Sequence, residues 1–132
     1  MFLIDANVII RLLIGDDVPQ KQRAERFFLG LEKAADQAVL SLQVLGEVLW
    51  ILEKYYELER KLFVPKIAKL LANRSVETLE VKKELVLDVL REYMLTRLDF
   101  ADLYLAHTCQ QSELELVTFD KQLAKRVQVK TL

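Results

Sequence analysis

The amino-acid sequence predicts a three-layer α/β/α sandwich with a mainly parallel central sheet. Short apolar segments alternate with longer segments whose apolar residues recur every three or four positions, a pattern typical of strands alternating with helices. The chain has 132 residues, of which 52% are hydrophobic and 30% charged. That composition is typical of a folded globular protein, and the length allows one core, so we expect a single domain over residues 1–132.

The first strand is predicted at residues 2–4, where an apolar run ends at Asp5. A helix should follow to about residue 13, with Asn7 as its N-cap because asparagine favours that position. In an open parallel sheet, ligands bind beyond the carboxyl ends of the strands. An ionised Asp5 is therefore expected to face a crevice.

The second helix is predicted from Pro19 to about residue 33, because proline suits the first turn of a helix. It follows a break at Gly15, and either Asp16 or Asp17 should cap it.

A short strand is predicted at residues 38–41, and a helix should then run from about residue 44 to Tyr55 or Tyr56. Glu47 lies in the first turns of this helix on an apolar face, where a carboxylate needs a metal ion or a basic group as partner. The next helix is predicted over residues 58–73, with Pro65 in its first turn or at a kink.

The remaining elements follow the same alternation. Asp99 should cap the helix that carries Asp102, and Asp102 should point inward because it shares a face with small or apolar residues. Asp120, directly after a strand, fits either a helix cap or a functional ligand. The predicted elements are strand 76–80, helix 83–96 with Leu85, Val89, Leu90 and Tyr93 facing inward, helix 99–111, strand 114–118, helix 121–126 and strand 127–132.

Four acidic residues, Asp5, Glu47, Asp102 and Asp120, therefore lie at strand ends or on helices expected to face those ends. Converging carboxylates repel one another and raise each other's pKa values unless a divalent cation lies between them. Oxygen ligands suit Mg²⁺ or Mn²⁺, whose bound water is a nucleophile for phosphodiester hydrolysis. The four acids therefore predict a magnesium or manganese site.

Other chemistries lack the residues they require. The chain has one histidine and one cysteine, His107 and Cys109, which point in different directions on a helix and are expected to be structural. Histidine acid–base cleavage of RNA needs a pair of histidines, and neither a Gly-rich phosphate loop nor a Gly-x-Ser-x-Gly elbow is present. Nucleophilic serine or cysteine catalysis has no support.

A net charge of −1 argues against binding of nucleic acid through the overall charge, so a local basic patch would be needed. One candidate is Arg11 near Asp5, and another is the group Lys121, Lys125 and Arg126. A third is the pair Lys66 and Lys69, which we expect to lie on a solvated helix face.

No apolar run approaches the roughly 18 residues of a membrane span, and no basic leader precedes Asp5. We expect a cytoplasmic protein.

Four segments together resemble the PIN-domain nucleases, in particular the VapC-type toxins of toxin–antitoxin pairs. The resemblance covers essentially the whole chain in order, although Gln111-Ser112-Glu113 stands where relatives often have a glycine. The segments are Leu3-Ile4-Asp5-Ala6-Asn7-Val8-Ile9-Ile10-Arg11-Leu12-Leu13 with Gly15-Asp16-Asp17, Gly46-Glu47-Val48-Leu49-Trp50-Ile51-Leu52, Ala101-Asp102-Leu103-Tyr104-Leu105-Ala106, and Thr118-Phe119-Asp120.

The resemblance implies a small ribonuclease that binds Mg²⁺ or Mn²⁺ through Asp5, Glu47 and Asp102, with Asp120 as a direct or water-mediated ligand. Thr118 would support these ligands by hydrogen bonding, and Asn7 belongs to the same supporting set. Cleavage would leave a 5′-phosphate end. Relatives are commonly homodimers inhibited by a small cognate antitoxin, so the same partners are expected here.

Two alternatives remain. A phosphatase of the haloacid-dehalogenase kind would use Asp5 as nucleophile, but Asn7 replaces the second aspartate of its Asp-x-Asp signature. A non-catalytic PIN-like binding module in RNA processing would keep the fold without turnover.

Overall fold

The computed structural model of the chain describes residues 1–127 and 129–131. Its contacts divide the chain into two compact units, one formed by Met1–Lys83 and the other by the described residues from Glu84 onward. Each unit contains parallel strands and helices. The elements are β1 (Phe2–Leu3), α1 (Ala6–Leu13), α2 (Val18–Ala34), β2 (Ala38–Leu40), α3 (Leu42–Trp50), a π-helix (Ile51–Tyr55), α4 (Arg60–Ala72), β3 (Val76–Thr78), α5 (Lys83–Leu95), α6 (Phe100–Gln110), β4 (Leu116–Thr118), α7 (Lys121–Ala124) and β5 (Val129–Thr131).

The first unit contains a three-stranded parallel sheet with the order β1-β2-β3. Phe2 of β1 lies opposite Ala38, and Ala38 in turn lies opposite Val76 of β3. Every residue of β2 is buried, as expected for a strand with neighbours on both sides. Helices connect the parallel strands, and the predicted α/β/α class is confirmed.

The core of the first unit is built from the apolar stripes of its helices. Helix α1 packs on both α2 and α3, and α4 packs on β3. The periodic apolar residues of these helices are almost completely inaccessible to solvent. The side chains in this group include Ile9, Ile10, Leu31, Leu45, Val48, Leu49, Leu52, Phe63, Ile67 and Leu71.

Helix α1 begins earlier than predicted. Asp5, not Asn7, occupies the N-cap position, with extended backbone angles and a carbonyl that accepts the Val8 N–H at 3.2 Å. Asn7 therefore lies inside the first turn. At α2 the choice between two aspartates is decided in favour of Asp17, whose side chain accepts the backbone N–H of Gln20 at 3.0 Å.

The helix after β2 contains a π-helical turn that the sequence did not indicate. It begins at Leu42, capped by Ser41, and widens after Trp50, where the N–H of Tyr56 donates to the carbonyl of Ile51 five residues earlier. Glu53 within this turn forms an ion pair with Arg60 at the start of α4. Pro65 lies in the interior of α4, not in its first turn.

The second unit combines helices with a parallel pair of strands, in which Leu116 of β4 lies opposite Val129 of β5. Ala106, Leu116 and Leu123 form a small buried cluster. On α5, Val86 is buried with Val89, Leu90 and Tyr93, whereas Leu85 is half-buried.

Several predicted strands and helices are shorter in the structure, since the ends of such elements are the least regular part of each. The predicted last strand also included Gln128 and Leu132, which lie outside the described residues. Among the helices of the described chain, none combines the length and apolar character needed to cross a membrane.

Candidate active site

Asp5 directly follows the first strand and precedes α1. Its side chain makes no capping hydrogen bond and is exposed, so both carboxylate oxygens are available to a ligand. With Asn7 it lines a cleft of about 510 Å³ in the first unit, and apolar side chains from β1 and α2 line much of the remainder. The prediction that Asp5 faces a crevice is confirmed.

Glu47 lies in the middle of α3, and its side chain is exposed. The prediction that it belongs to an apolar stripe was wrong. The buried stripe of α3 runs through Leu45, Val48 and Leu49, and Glu47 lies outside it because successive helix residues are rotated by roughly 100°. Burial therefore does not oblige Glu47 to have a partner.

Asp102 lies in the first turn of α6 and is half-buried. Burial first, and then the negative charges of Asp99 and Asp120, raise the pKa of the Asp102 carboxyl above the usual aspartate range. Asp99 occupies the predicted N-cap position, but its side chain makes no capping hydrogen bond. The second unit therefore contains a local excess of negative charge around Asp102.

Asp120 follows β4 and caps α7 with one of its two carboxylate oxygens. Oδ1 accepts the backbone N–H groups of Gln122 at 2.8 Å and Leu123 at 3.1 Å. The Thr118 hydroxyl accepts the Asp120 N–H at 2.9 Å, which fixes the turn between strand and helix. A cap and a ligand role are therefore compatible, since Oδ2 carries no such bond.

The donor set suits a hard cation. In the described part of the chain, none of Asp5, Glu47, Asp102 and Asp120 forms an ion pair with a basic side chain. Burial, and after it the charges of Asp99 and Asp120, raise the pKa of Asp102, so a bound cation would favour its ionised form. Carboxylate oxygens without basic partners fit Mg²⁺ or Mn²⁺. In neither unit, however, do the described residues bring three metal-binding side chains within reach of one ion.

Several predicted basic positions have local partners. Arg11 pairs with Asp16, and Arg126 pairs with Glu92, which also contacts His107. The structural role predicted for His107 agrees with that contact. Lys66 and Lys69 are exposed on α4, as expected for a solvated face.

The structure adds three polar residues that sequence reasoning did not place beside Asp5. The sequence places Arg11 near Asp5 only along the chain, whereas in the structure Arg11, Gln20 and Arg23 line the same cleft as Asp5. The helical spacing of Asn7 and Arg11, four residues apart on one face, was the available signal for Arg11.

A comparison with models of protein families matches residues 2–129 to the PIN domain. The chain belongs to the PIN domain family. PIN domains are generally nucleases, so membership supports a hydrolase with a nuclease-type fold, and PIN-domain nucleases typically use divalent metal ions. No curated protein and no solved structure matches the chain.

Proposed function

We propose that this PIN domain protein is a Mg²⁺- or Mn²⁺-dependent endoribonuclease and the toxin of a type II toxin–antitoxin pair. The metal would be held by Asp5, Glu47, Asp102 and Asp120, with Thr118 and Asn7 in supporting roles. The observation that carries the proposal is the match to the PIN domain over residues 2–129. It is supported by the four acids, none of which forms an ion pair with a basic side chain in the described part of the chain, so a divalent cation could neutralise them.

In the proposed reaction, these side chains hold the metal ion that assists hydrolysis of the phosphodiester bond. When bound, the ion would supply an activated water and stabilise charge on the phosphoryl oxygen. One carboxylate oxygen of Asp120 accepts hydrogen bonds from the α7 backbone, and this fixes the orientation of the other oxygen. Thr118 fixes the backbone of Asp120 in turn. Hydrolysis would break the bond from phosphorus to the 3′-oxygen and leave a 5′-phosphate.

The partners belong to the same proposal. The resemblance predicts an RNA substrate, a cognate antitoxin that blocks the acidic site and a homodimeric state. A cytoplasmic location is predicted from the lack of a basic leader and of a long apolar run, and all four stay predictions. The family match supports the nuclease over a haloacid-dehalogenase phosphatase.

The test is cleavage of single-stranded RNA by purified protein with Mg²⁺ or Mn²⁺, without metal, and with EDTA. Asp5→Asn and Asp102→Asn each remove one charged ligand and should lower kcat by at least about 100-fold. Asp17→Asn is the matched control, because asparagine caps a helix as well as aspartate and Asp17 lies at the start of α2. It should retain full activity.

Cleavage that survives chelation, or products ending in a cyclic phosphate, would overturn the mechanism. Protein that binds Mn²⁺ through these carboxylates but cleaves none of a varied set of RNAs would instead favour the non-catalytic binding module.

A further inference from the structure

The guanidinium group of Arg11 is held by three side chains from different parts of the first unit. Its Nε donates to Gln20 Oε1 at 2.8 Å, and its Nη1 donates to the Asp16 carboxylate at 3.0 and 3.1 Å and to the Tyr56 hydroxyl at 3.3 Å. The Tyr56 hydroxyl also donates to Asp16 at 2.8 Å. We call Arg11, Asp16, Gln20 and Tyr56 the Arg11 cluster.

The π-helical turn contributes to this arrangement. It places Tyr56 after a wide turn closed by the bond from the Tyr56 N–H to the Ile51 carbonyl. An extra residue in the turn rotates the following side chains by roughly 100° relative to a regular α-helix. The cluster therefore joins the last turn of α1 to the end of the helix that begins with α3.

The cluster leaves one side of the guanidinium available. Arg has five N–H groups, and those on Nε and Nη1 are directed at Gln20, Asp16 and Tyr56. Among the described residues, nothing accepts a hydrogen bond from Nη2. The Arg11 side chain is 29% exposed, and it lines the cleft that Asp5 also lines.

We propose that Arg11 is a substrate-binding residue that contacts a phosphate of RNA through Nη2, and that Asp16, Gln20 and Tyr56 orient it. The inference rests on the proposed nuclease function, which it deepens. A guanidinium whose plane is already fixed loses little side-chain entropy when it binds an anion, and arginine is well suited to phosphate recognition.

The phosphate that Arg11 contacts should differ from the one that is cleaved. Asp5 precedes α1 and Arg11 lies in its last turn, six residues later, or about 9 Å along the helix axis. A phosphate beside the Asp5 carboxylate and one beside Arg11 would therefore be separate groups on the same strand. Loss of the Arg11 contact should weaken substrate binding and leave the chemical step in place.

The experiment measures both cleavage kinetics with Mn²⁺ and binding of a short fluorescent single-stranded RNA in EDTA. Arg11→Gln should raise KM by at least about tenfold, the effect of losing one charge-assisted hydrogen bond, with kcat within about twofold. In EDTA, the slope of log Kd against log salt should fall by about 0.7, the value for one single-strand phosphate contact.

Two further variants separate charge from orientation, and both keep the test valid if Arg11→Gln does not fold. Arg11→Lys retains the charge and Tyr56→Phe removes only a hydroxyl, so both should raise KM with little change in the salt slope. Arg26→Gln is the matched control, since it removes the same charge from α2 and Arg26 does not line the cleft. Tyr55→Phe controls for loss of a hydroxyl on an exposed neighbour.

If Arg11→Gln changes KM and the salt slope no more than Arg26→Gln, or if the wild-type protein binds no RNA, the phosphate contact is overturned. If the wild-type protein binds RNA with the predicted dependence on Arg11 but cleaves nothing, the proposed nuclease function fails and the phosphate contact stands.

Discussion

At the scale of single residues, Asp102 is a proposed metal ligand whose half-buried position disfavours its ionised form. Burial and the charges of Asp99 and Asp120 raise its pKa, so the folded state holds the Asp102 proton more tightly than the unfolded chain does. The stabilisation from this proton is complete below the ordinary aspartate pKa and is lost as pH rises through the raised pKa. We therefore expect ionised Asp102 to destabilise the metal-free protein at neutral pH.

We expect Asp102→Asn to raise the free energy of unfolding at pH 7 in EDTA, because it removes the charge from this environment. The difference from wild type should shrink as pH is lowered through the window in which Asp102 becomes protonated. Urea unfolding followed by circular dichroism at several pH values measures both effects. A lower urea midpoint for Asp102→Asn at pH 7 would contradict the interpretation.

Asp120 caps α7 and is also a proposed metal ligand, and substitution can separate the observed role from the proposed one. Asp120→Ala removes both the cap of α7 and the charge, and loss of such a cap costs about 1 kcal/mol of stability. Asp120→Asn should leave stability nearly unchanged, because asparagine also caps helices, while both variants should bind Mn²⁺ more weakly. Urea unfolding combined with Mn²⁺ titration measures the two effects. Equal destabilisation by both substitutions would argue against the capping role.

At the scale of elements, the Glu53–Arg60 ion pair connects the π-helical turn to α4. The side chains of Glu53 and Arg60 are 20% and 12% exposed, so solvent screens this pair less than a surface pair. Hydrogen bonding to Arg60 lowers the pKa of Glu53 below its ordinary value. A lowered carboxyl pKa contributes stability above the ordinary glutamate range, and that stability is lost as pH falls through the lowered pKa.

Glu53→Gln should therefore reduce the free energy of unfolding by about 1 kcal/mol at pH 7, and by progressively less in acid. Glu25→Gln is a suitable control, because Glu25 is an exposed residue of α2, and we expect no measurable change in its free energy of unfolding. Thermal unfolding of the three proteins between acid and neutral pH would show the difference. A difference in stability between wild type and Glu53→Gln that grows in acid would exclude Glu53 ionisation as its cause.

At the scale of the whole molecule, metal binding should couple to folding. A ligand that binds only the folded protein stabilises it by about 2.7 kcal/mol at 100 times its Kd, which corresponds to a rise in Tm of roughly 10 °C for a chain of this size. We expect this rise with Mn²⁺ in wild type and its loss in Asp5→Asn. Calorimetry with and without EDTA measures it, and an equal rise in Asp5→Asn would show that the ion binds elsewhere.

Much of the fold was predictable because it depends on local patterns. Short apolar runs alternate with segments whose apolar residues recur every three or four positions, and this alternation predicted the five strands seen in the described residues and the helices between them. An aspartate cap was predicted at Asp16 or Asp17 and another at Asp99. The ends of helices and strands were less predictable: Asn7 was the predicted N-cap of α1, whereas Asp5 is the observed one. A shift of one or two residues at a helix end changes the local pattern very little.

The sequence by itself determined the fold class, the family and the identity of the four acidic residues, because strand periodicity and ordered motifs are properties of the chain alone. Only the tertiary structure decided that Glu47 lies outside the buried stripe of α3, that a π-helical turn directs Tyr56 to Asp16, and that Arg11 lines the cleft of Asp5. These features depend on the rotation of helices and on contacts between residues up to 45 positions apart. Such contacts leave no periodic signal in the sequence.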